Sequence, residues 1–209
     1  MAVDARTVSK RVRRIVWPLL LDYGFISRST WAVWREIDGH VDVVDLKTVG
    51  RQADAVGCTP ASLNVVVASA PAWVSKQAEQ AVASRLRYWQ APLRWRLDKT
   101  LRQPWFRPFA EPPRHKPLPS VAAHREGLRR VLRSDTHDRS DIWYVLDDGS
   151  NLEEVLDDIT TVITRTGVPM LDRFHDPRSV VQMILADALP MAPDSPGARA
   201  LIEAAETAR

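Results

Sequence analysis

Two residues, Asp38 and Gly39, separate two runs rich in β-branched and aromatic side chains. Residues 30–37 carry Trp31, Val33, Trp34 and Ile37, and residues 41–49 carry Val41, Val43, Val44 and Leu46. An Asp-Gly pair flanked by such runs signals a two-residue hairpin, because both turn positions need a left-handed backbone. The chain is thereby committed to an antiparallel pair. A loop follows over residues 50–60, which contain Gly50, Gly57 and Pro60, and Leu63 to Ala68 supplies a third strand. Before the hairpin, residues 4–22 read as a helix, with Val8, Val12, Ile15, Val16 and Leu19 near helical spacing. Pro18 is expected to kink or tighten its last turn, and Gly24 to end it in a left-handed conformation. A helix followed by a meander is not the alternating order of a Rossmann or P-loop fold.

The second half predicts one more strand and then helices. Ile142 to Leu146 reads as the final strand, followed by a turn at Asp147-Asp148-Gly149. Ser150 and Glu153 have the spacing of a capping box. The helix they open would bury Leu152, Val155, Leu156, Ile159, Val162 and Ile163, with Glu153, Glu154, Asp157 and Asp158 toward its start, where the dipole favours them. Gly167 is expected to stop it and Pro169 to prevent continuation. Asp176-Pro177 and Ser195-Pro196 each look like a cap followed by proline at the first helical position. The expected fold is α+β. An antiparallel sheet of about four strands is covered by the N-terminal helix and the C-terminal helices. Residues 1–190 would form one domain, and 191–209 a tail or short helix.

Residues 71–119 break this pattern and read as an insertion or excursion. A helix capped by Ser75 is expected from Lys76 to about Trp89, and the prolines from Pro92 to Pro119 disfavour long regular structure after it. The stretch is also charged. Residues 76–107 hold eight Lys and Arg against two acids, whereas residues 141–176 hold nine acids against two Arg. Such asymmetry marks either a docking surface or two solvated faces. The candidate binding residues are Arg85, Arg87, Trp89, Arg94, Arg96, Arg102, Trp105 and Arg107. Cations that neutralise phosphates, beside rings that stack on bases, suit single-stranded nucleic acid. Arg and Trp also dominate protein-binding hot spots. A third reading is structural: the Trp side chains pin an irregular segment while Arg stems cover apolar surface. On an extended stretch, Arg94 and Arg96 would face outward and Trp95 inward.

Catalytic signatures are few. The chain has no Gly-x-Gly-x-x-Gly, Walker, Gly-x-Ser-x-Gly or His-Glu-x-x-His pattern. His40, His115, His124, His137 and His175 do not pair at zinc-like spacing with each other or with Cys58. No metal or cofactor is expected. His137 with Asp135, Asp138 and Asp141 is the best acidic cluster, and its composition reads as a solvated turn. The lone Cys58 reads as a structural thiol, excludes an internal disulfide and fits a reducing compartment. On β-alternation, Asp45 and Lys47 share a face with Val41 and Val43. If that face is the covered one, they are expected to pair, with Arg35 as a further partner, as a structural ion network or, alternatively, as the lining of a small groove. Residues 6–21 mimic a signal peptide, but the apolar run is short and lacks a small-residue cleavage site. No stretch approaches the roughly 18 apolar residues of a membrane span. A soluble cytoplasmic protein is expected. The net charge of +3 and pI of 9.3 argue only weakly for an anionic partner.

In their order, these motifs resemble a bacterial family known as domain of unknown function 4304. The resemblance rests on Trp17-Pro18 through Gly24-Phe25, on Trp34-Arg35, and on Val41 to Lys47. It continues through Leu63-Asn64-Val65-Val66-Val67, Trp143-Tyr144 and Gly167-Val168-Pro169-Met170-Leu171. It covers roughly residues 4–70 and 120–187. Lys47 stands where Gln is more typical, and residues 71–119 are longer and more basic than the pattern. The resemblance implies a helix–strands–helices fold and brings no catalytic residues. The functional expectation is a non-catalytic accessory protein that docks to another protein. Nucleic-acid association through Arg85 to Arg107 is the alternative, and an enzyme of unrecognised type the third.

Overall fold

The computed structural model describes residues 3–53, 58–74, 86–101, 103 and 140–208. Helix α1 (Ala5–Leu20) begins where Asp4 accepts a hydrogen bond from the Thr7 N–H at 2.7 Å. It buries Val8, Val12, Val16, Trp17 and Leu20, one helical stripe. Pro18 sits in its last turn, where the chain tightens into a 3₁₀ segment (Leu21–Tyr23), and Gly24 ends it at φ +81°. Both features follow the sequence expectation.

Among the described residues, five antiparallel strands form one sheet in chain order. They are β1 (Ser27–Arg28), β2 (Ala32–Ile37), β3 (His40–Thr48), β4 (Leu63–Ala70) and β5 (Leu93–Arg96). Ile37 pairs with His40, so the β2–β3 turn is the two-residue loop expected, with Asp38 at φ +49° and Gly39 at φ +76°. Strands β3 and β4 are buried on both faces, which fits the apolar run of β4 and leaves Asp42 and Asp45 of β3 buried among valines.

The last strand is not the one expected. Among the described residues, 142–146 make one bridge, Leu63 with Trp143. The edge of β4 from Val66 to Ser69 is instead taken by β5, out of the stretch read as an excursion. The Leu97 N–H then continues the ladder to the Val65 carbonyl at 3.0 Å. With that edge filled, the backbone at 144–146 is satisfied by side chains. Gln103 both donates to and accepts from Tyr144 (2.7 and 2.8 Å), and Ser62 Oγ accepts from the Val145 N–H. Asn151 accepts from the Leu146 N–H and donates to the Tyr144 carbonyl.

Asn151 is therefore engaged behind helix α2 (Leu152–Val162), and the expected Ser150–Glu153 capping box does not form. Glu153 pairs with Arg11 of α1 instead. Nor does Gly167 stop the helix. The chain passes through one π turn (Ile163–Gly167) into α3 (Val168–His175), with Pro169 at its second position. The Val168 N–H bonds five residues back to Ile163, a local widening that accommodates the proline's missing donor. Gly167 has ordinary helical angles (φ −64°) and is small for another reason. A Cβ there would lie 3.1 Å from both Leu97 and Val67, so the glycine lets the helix approach the sheet. Helix α4 (Pro177–Leu185) is capped by Asp176, and α5 (Pro196–Thr207) by Ser195, as the sequence predicts. Leu201 and Ala198 of α5 belong to the same core as α1 to α4.

The α+β class is thus as expected. One face of the sheet, with Val33, Val44, Leu46, Leu63, Val65, Val67 and Leu93, meets the helices in the main core. The opposite face carries a smaller cluster of Ala32, Val41, Val43, Ala68 and Ala70, covered by Leu86 and Ala91. Cys58 is buried beside Ile142 and Tyr144. No helix among the described residues is long and apolar enough to cross a membrane.

Candidate binding face

The second face is where the charged and aromatic residues collect. Its alanines are small, so the segment from Leu86 to Ala91 can lie close across the strands. Trp34 Nε1 pins it by donating to the Leu86 carbonyl at 2.6 Å. A 3₁₀ turn (Tyr88–Gln90) follows, with the Arg87 N–H bonded to Gln90 Oε1 at 3.1 Å. This turn sets two rings nearly perpendicular: the Tyr88 and Trp89 centroids are 5.2 Å apart at 88°. Lys47 Nζ from β3 sits 4.1 Å from the Tyr88 centroid and 4.6 Å from that of Trp89. Arg87 also lies over Trp89, at 5.2 Å. These distances are within the range where a ring quadrupole attracts a cation.

Asp45 pairs with Lys47 across 3.5 Å, as the alternation of β3 predicted. Its residue is 7% exposed, and burial raises its pKa from the usual carboxylate value while Lys47 opposes the rise. Arg94 and Arg96 project outward from β5 and Trp95 packs inward on the main core, also as expected. Arg96 is paired with Asp141, whereas Arg94 reaches only the Trp89 carbonyl, at 3.5 Å. Among the described residues, Arg87 and Arg94 have no carboxylate partner. The structure therefore brings Arg87, Trp89, Arg94 and Arg96 together on one face. Arg85, Arg102, Trp105 and Arg107 lie outside the described residues, as do most of the helix expected after Ser75, His115, His124 and His137.

The acidic half of the chain is partly spent internally. Asp158 of α2 accepts from Trp143 Nε1 at 2.7 Å and from the Thr100 backbone and hydroxyl. With Arg96–Asp141 and Arg11–Glu153, this removes part of the charge asymmetry seen in the sequence.

A second polar cluster lies at the end of the sheet on the helix-covered face, and its composition was not anticipated. Arg35 pairs not with Asp45 but with its cross-strand neighbour Asp42, Nε to Oδ2 at 2.8 Å. The expected pairing failed because Arg35 and Asp45 point to opposite faces of the sheet. Arg35 also binds Asp172 of α3, and its guanidinium lies 5.1 Å from the Phe25 ring. Burial works against the Arg35 charge, and Asp42 and Asp172 more than offset it, so its pKa is raised. Asp42 is fully buried and also takes His175 Nε2 at 3.0 Å. The His175 ring stacks on His40 with centroids 4.0 Å apart. His40 Nδ1 accepts from the Ala72 N–H at 3.0 Å, which assigns its proton to Nε2. Burial, then the neighbouring His175, lower the His40 pKa, against Asp42 and Asp38. The one sequence signal for this cluster was a carboxylate, Asp42, inside a valine run. Its partners come from positions 35, 172 and 175, which no local spacing connects. Among the described residues no group of His, Cys, Asp and Glu is arranged to hold a metal ion.

No protein-family profile, curated protein or solved structure matches this chain.

Proposed function

We propose that this chain is a non-catalytic accessory protein of the cytoplasm that docks to another protein through the face around Arg87, Trp89 and Arg94. The observation that carries the reading is Trp89: a large ring 48% exposed, set between two Arg that lack carboxylate partners among the described residues. An exposed Trp in a turn flanked by Arg87 and by Arg94 of β5 is the composition of a hot spot. The nucleic-acid reading draws less support, because Arg96 on the same face is already paired with Asp141. A paired cation releases fewer counterions from phosphate, and among the described residues of this face only Arg87 and Arg94 lack a carboxylate partner. Kinship with domain of unknown function 4304 is part of the proposal. It is supported by the order of its motifs along the chain.

The test is affinity capture from nuclease-treated extract with four proteins: wild type, Trp89→Ala, Arg94→Glu, and Arg199→Glu on the distant helix α5. A protein retained by wild type and Arg199→Glu but lost by the other two is expected. Captured proteins indifferent to the face substitutions would refute the reading. Oligonucleotide binding that weakens steeply with salt and disappears in Arg94→Ala/Arg96→Ala would replace it with the nucleic-acid one.

A further inference from the structure

The Lys47 ammonium occupies an unusual position for a surface lysine. Two rings meet at close to a right angle beside it, and the Asp45 carboxylate lies 3.5 Å from the same ammonium. Perpendicular rings form a corner whose walls attract positive charge and whose apolar surface excludes hydrated anions. The carboxylate is not satisfied by its neighbour. The Asp45 side chain is nine-tenths buried and its Oδ1 has no hydrogen-bond partner among the described residues. The Lys47 ammonium stands 3.5 Å from that oxygen, too far for the 2.7–2.9 Å typical of a charge-assisted hydrogen bond. Lys47 is itself loosely held. Its side chain is 35% exposed, and its flexible stem can swing away without moving β3. On the outer side of the corner Trp89 is half-exposed, with Arg87 over its ring at 5.2 Å.

We propose that the corner of Tyr88, Trp89 and Asp45 is a subsite for an alkylammonium group, namely a lysine side chain of the docked partner, which displaces Lys47. The proposal rests on the docking reading for the source of that lysine. In the free chain Lys47 acts as a tethered competitor that keeps the corner filled and the Asp45 charge compensated. In the complex the incoming ammonium takes its place at the rings, approaches Asp45 without the constraint of being two residues along the same strand, and frees Lys47 for solvent. Recognition is by charge and by the methylene groups next to it, so a neutral acyl-lysine is rejected.

The probes are N-acetyl-lysine methylamide and its Nε-trimethyl and Nε-acetyl forms. They are titrated into wild type and Lys47→Ala while the Trp89 indole N–H is followed by NMR. Tethered groups compete at effective concentrations of order millimolar, so cationic probes of millimolar affinity are expected to bind Lys47→Ala about twofold or more tighter than wild type. The acetyl form is expected to leave the Trp89 signal unmoved. Adding Asp45→Asn or Tyr88→Ala to Lys47→Ala should abolish saturation. Absence of saturable binding to folded Lys47→Ala, or equal binding of the neutral probe, overturns the proposal. Should Lys47→Ala fail to fold, the same two criteria apply to Lys47→Ser. These titrations need no partner. A failed subsite and a failed docking face are therefore separate results, the latter read from the Trp89→Ala and Arg94→Glu captures.

Discussion

Replacing Asp42 by Asn tests whether the cluster at the end of the sheet holds the helices to it. The carboxylate is fully buried and serves two cationic or donor groups, Arg35 Nε and His175 Nε2. Breaking a buried ion pair by removing one partner costs about 3–5 kcal/mol, because the other charge stays buried and uncompensated. Two features reduce that figure here. Arg35 keeps Asp172, whose side chain is 58% exposed and therefore worth at most about 1 kcal/mol. Asn also retains an oxygen able to accept from Arg35 Nε, a neutral bond worth about 1 kcal/mol. The expected loss is about 1–3 kcal/mol, read as a lower urea midpoint at unchanged slope. The double variant Arg35→Met/Asp42→Val removes both buried charges and keeps apolar volume. It should lose less than Asp42→Asn alone, because no charge is stranded. Both comparisons use equilibrium urea unfolding followed by circular dichroism at neutral pH. If Asp42→Asn lies within about 0.5 kcal/mol of wild type, or the double variant is the less stable of the two, stranded charge is not what governs this site.

Other outcomes follow from the same geometry. His40 has a folded pKa below its ordinary value of about 6.5, so its contribution is complete above that pH and is lost as pH falls toward the folded value. Protonating Nδ1 also breaks the bond from Ala72, so urea midpoints should drop between pH 7.5 and 5.5, and the drop should shrink in His40→Asn. Gly167→Ala gains up to about 1 kcal/mol of helix propensity but crowds Leu97 and Val67, where overpacking costs about 1–3 kcal/mol. A net loss in midpoint is expected, and a stabilised variant would mean that the helix can back away from the sheet. Asp176→Ala removes the acceptor for Arg178, Ser179 and the Ser179 hydroxyl and should cost about 1 kcal/mol by the same assay.

What the sequence could show divides along contact order. The Asp38-Gly39 turn, the Gly24 stop and the Asp176-Pro177 and Ser195-Pro196 starts are each decided within a few residues, and each appears in the structure. The Arg94–Trp95–Arg96 alternation was legible for the same reason, since strand geometry alone sets it. The errors arose where a distant partner decides. Ile142 to Leu146 has the composition of a strand, but β5 had already taken the edge it needed. Ser150 and Glu153 have capping-box spacing, but Arg11 claims the glutamate. Gly167-Val168-Pro169 reads as a stop, yet the close approach to Leu97 gives the glycine a packing role, and a π turn absorbs the proline. For the binding face, the sequence supplied the residue types Arg87, Trp89, Arg94 and Arg96 but not Lys47. That residue reaches the rings from a strand some forty positions earlier.

The two faces of the sheet explain why the cations of this chain fall into two kinds. On the helix-covered face the core is deep, and Arg35 there is enclosed by Asp42, Asp172 and Phe25. A charge enclosed on all sides cannot be offered to a ligand without opening the fold, so Arg35 belongs to stability. The opposite face carries the smaller cluster of Ala32, Val41, Val43, Ala68 and Ala70, and among the described residues it is covered by the segment from Leu86 to Ala91. That segment closes over the small side chains and holds Lys47, Arg87 and Arg94 beside a half-exposed indole. Charges held there can change partners without unfolding anything. That difference, rather than the count of basic residues, makes this face the place to look for a partner. It also yields a prediction that separates the two roles: Trp89→Ala should weaken partner capture while shifting the urea midpoint by less than about 1 kcal/mol, as expected for a half-exposed ring outside the main core. A large loss of stability in Trp89→Ala would instead make the indole part of the cover and return the Arg/Trp segment to a structural role.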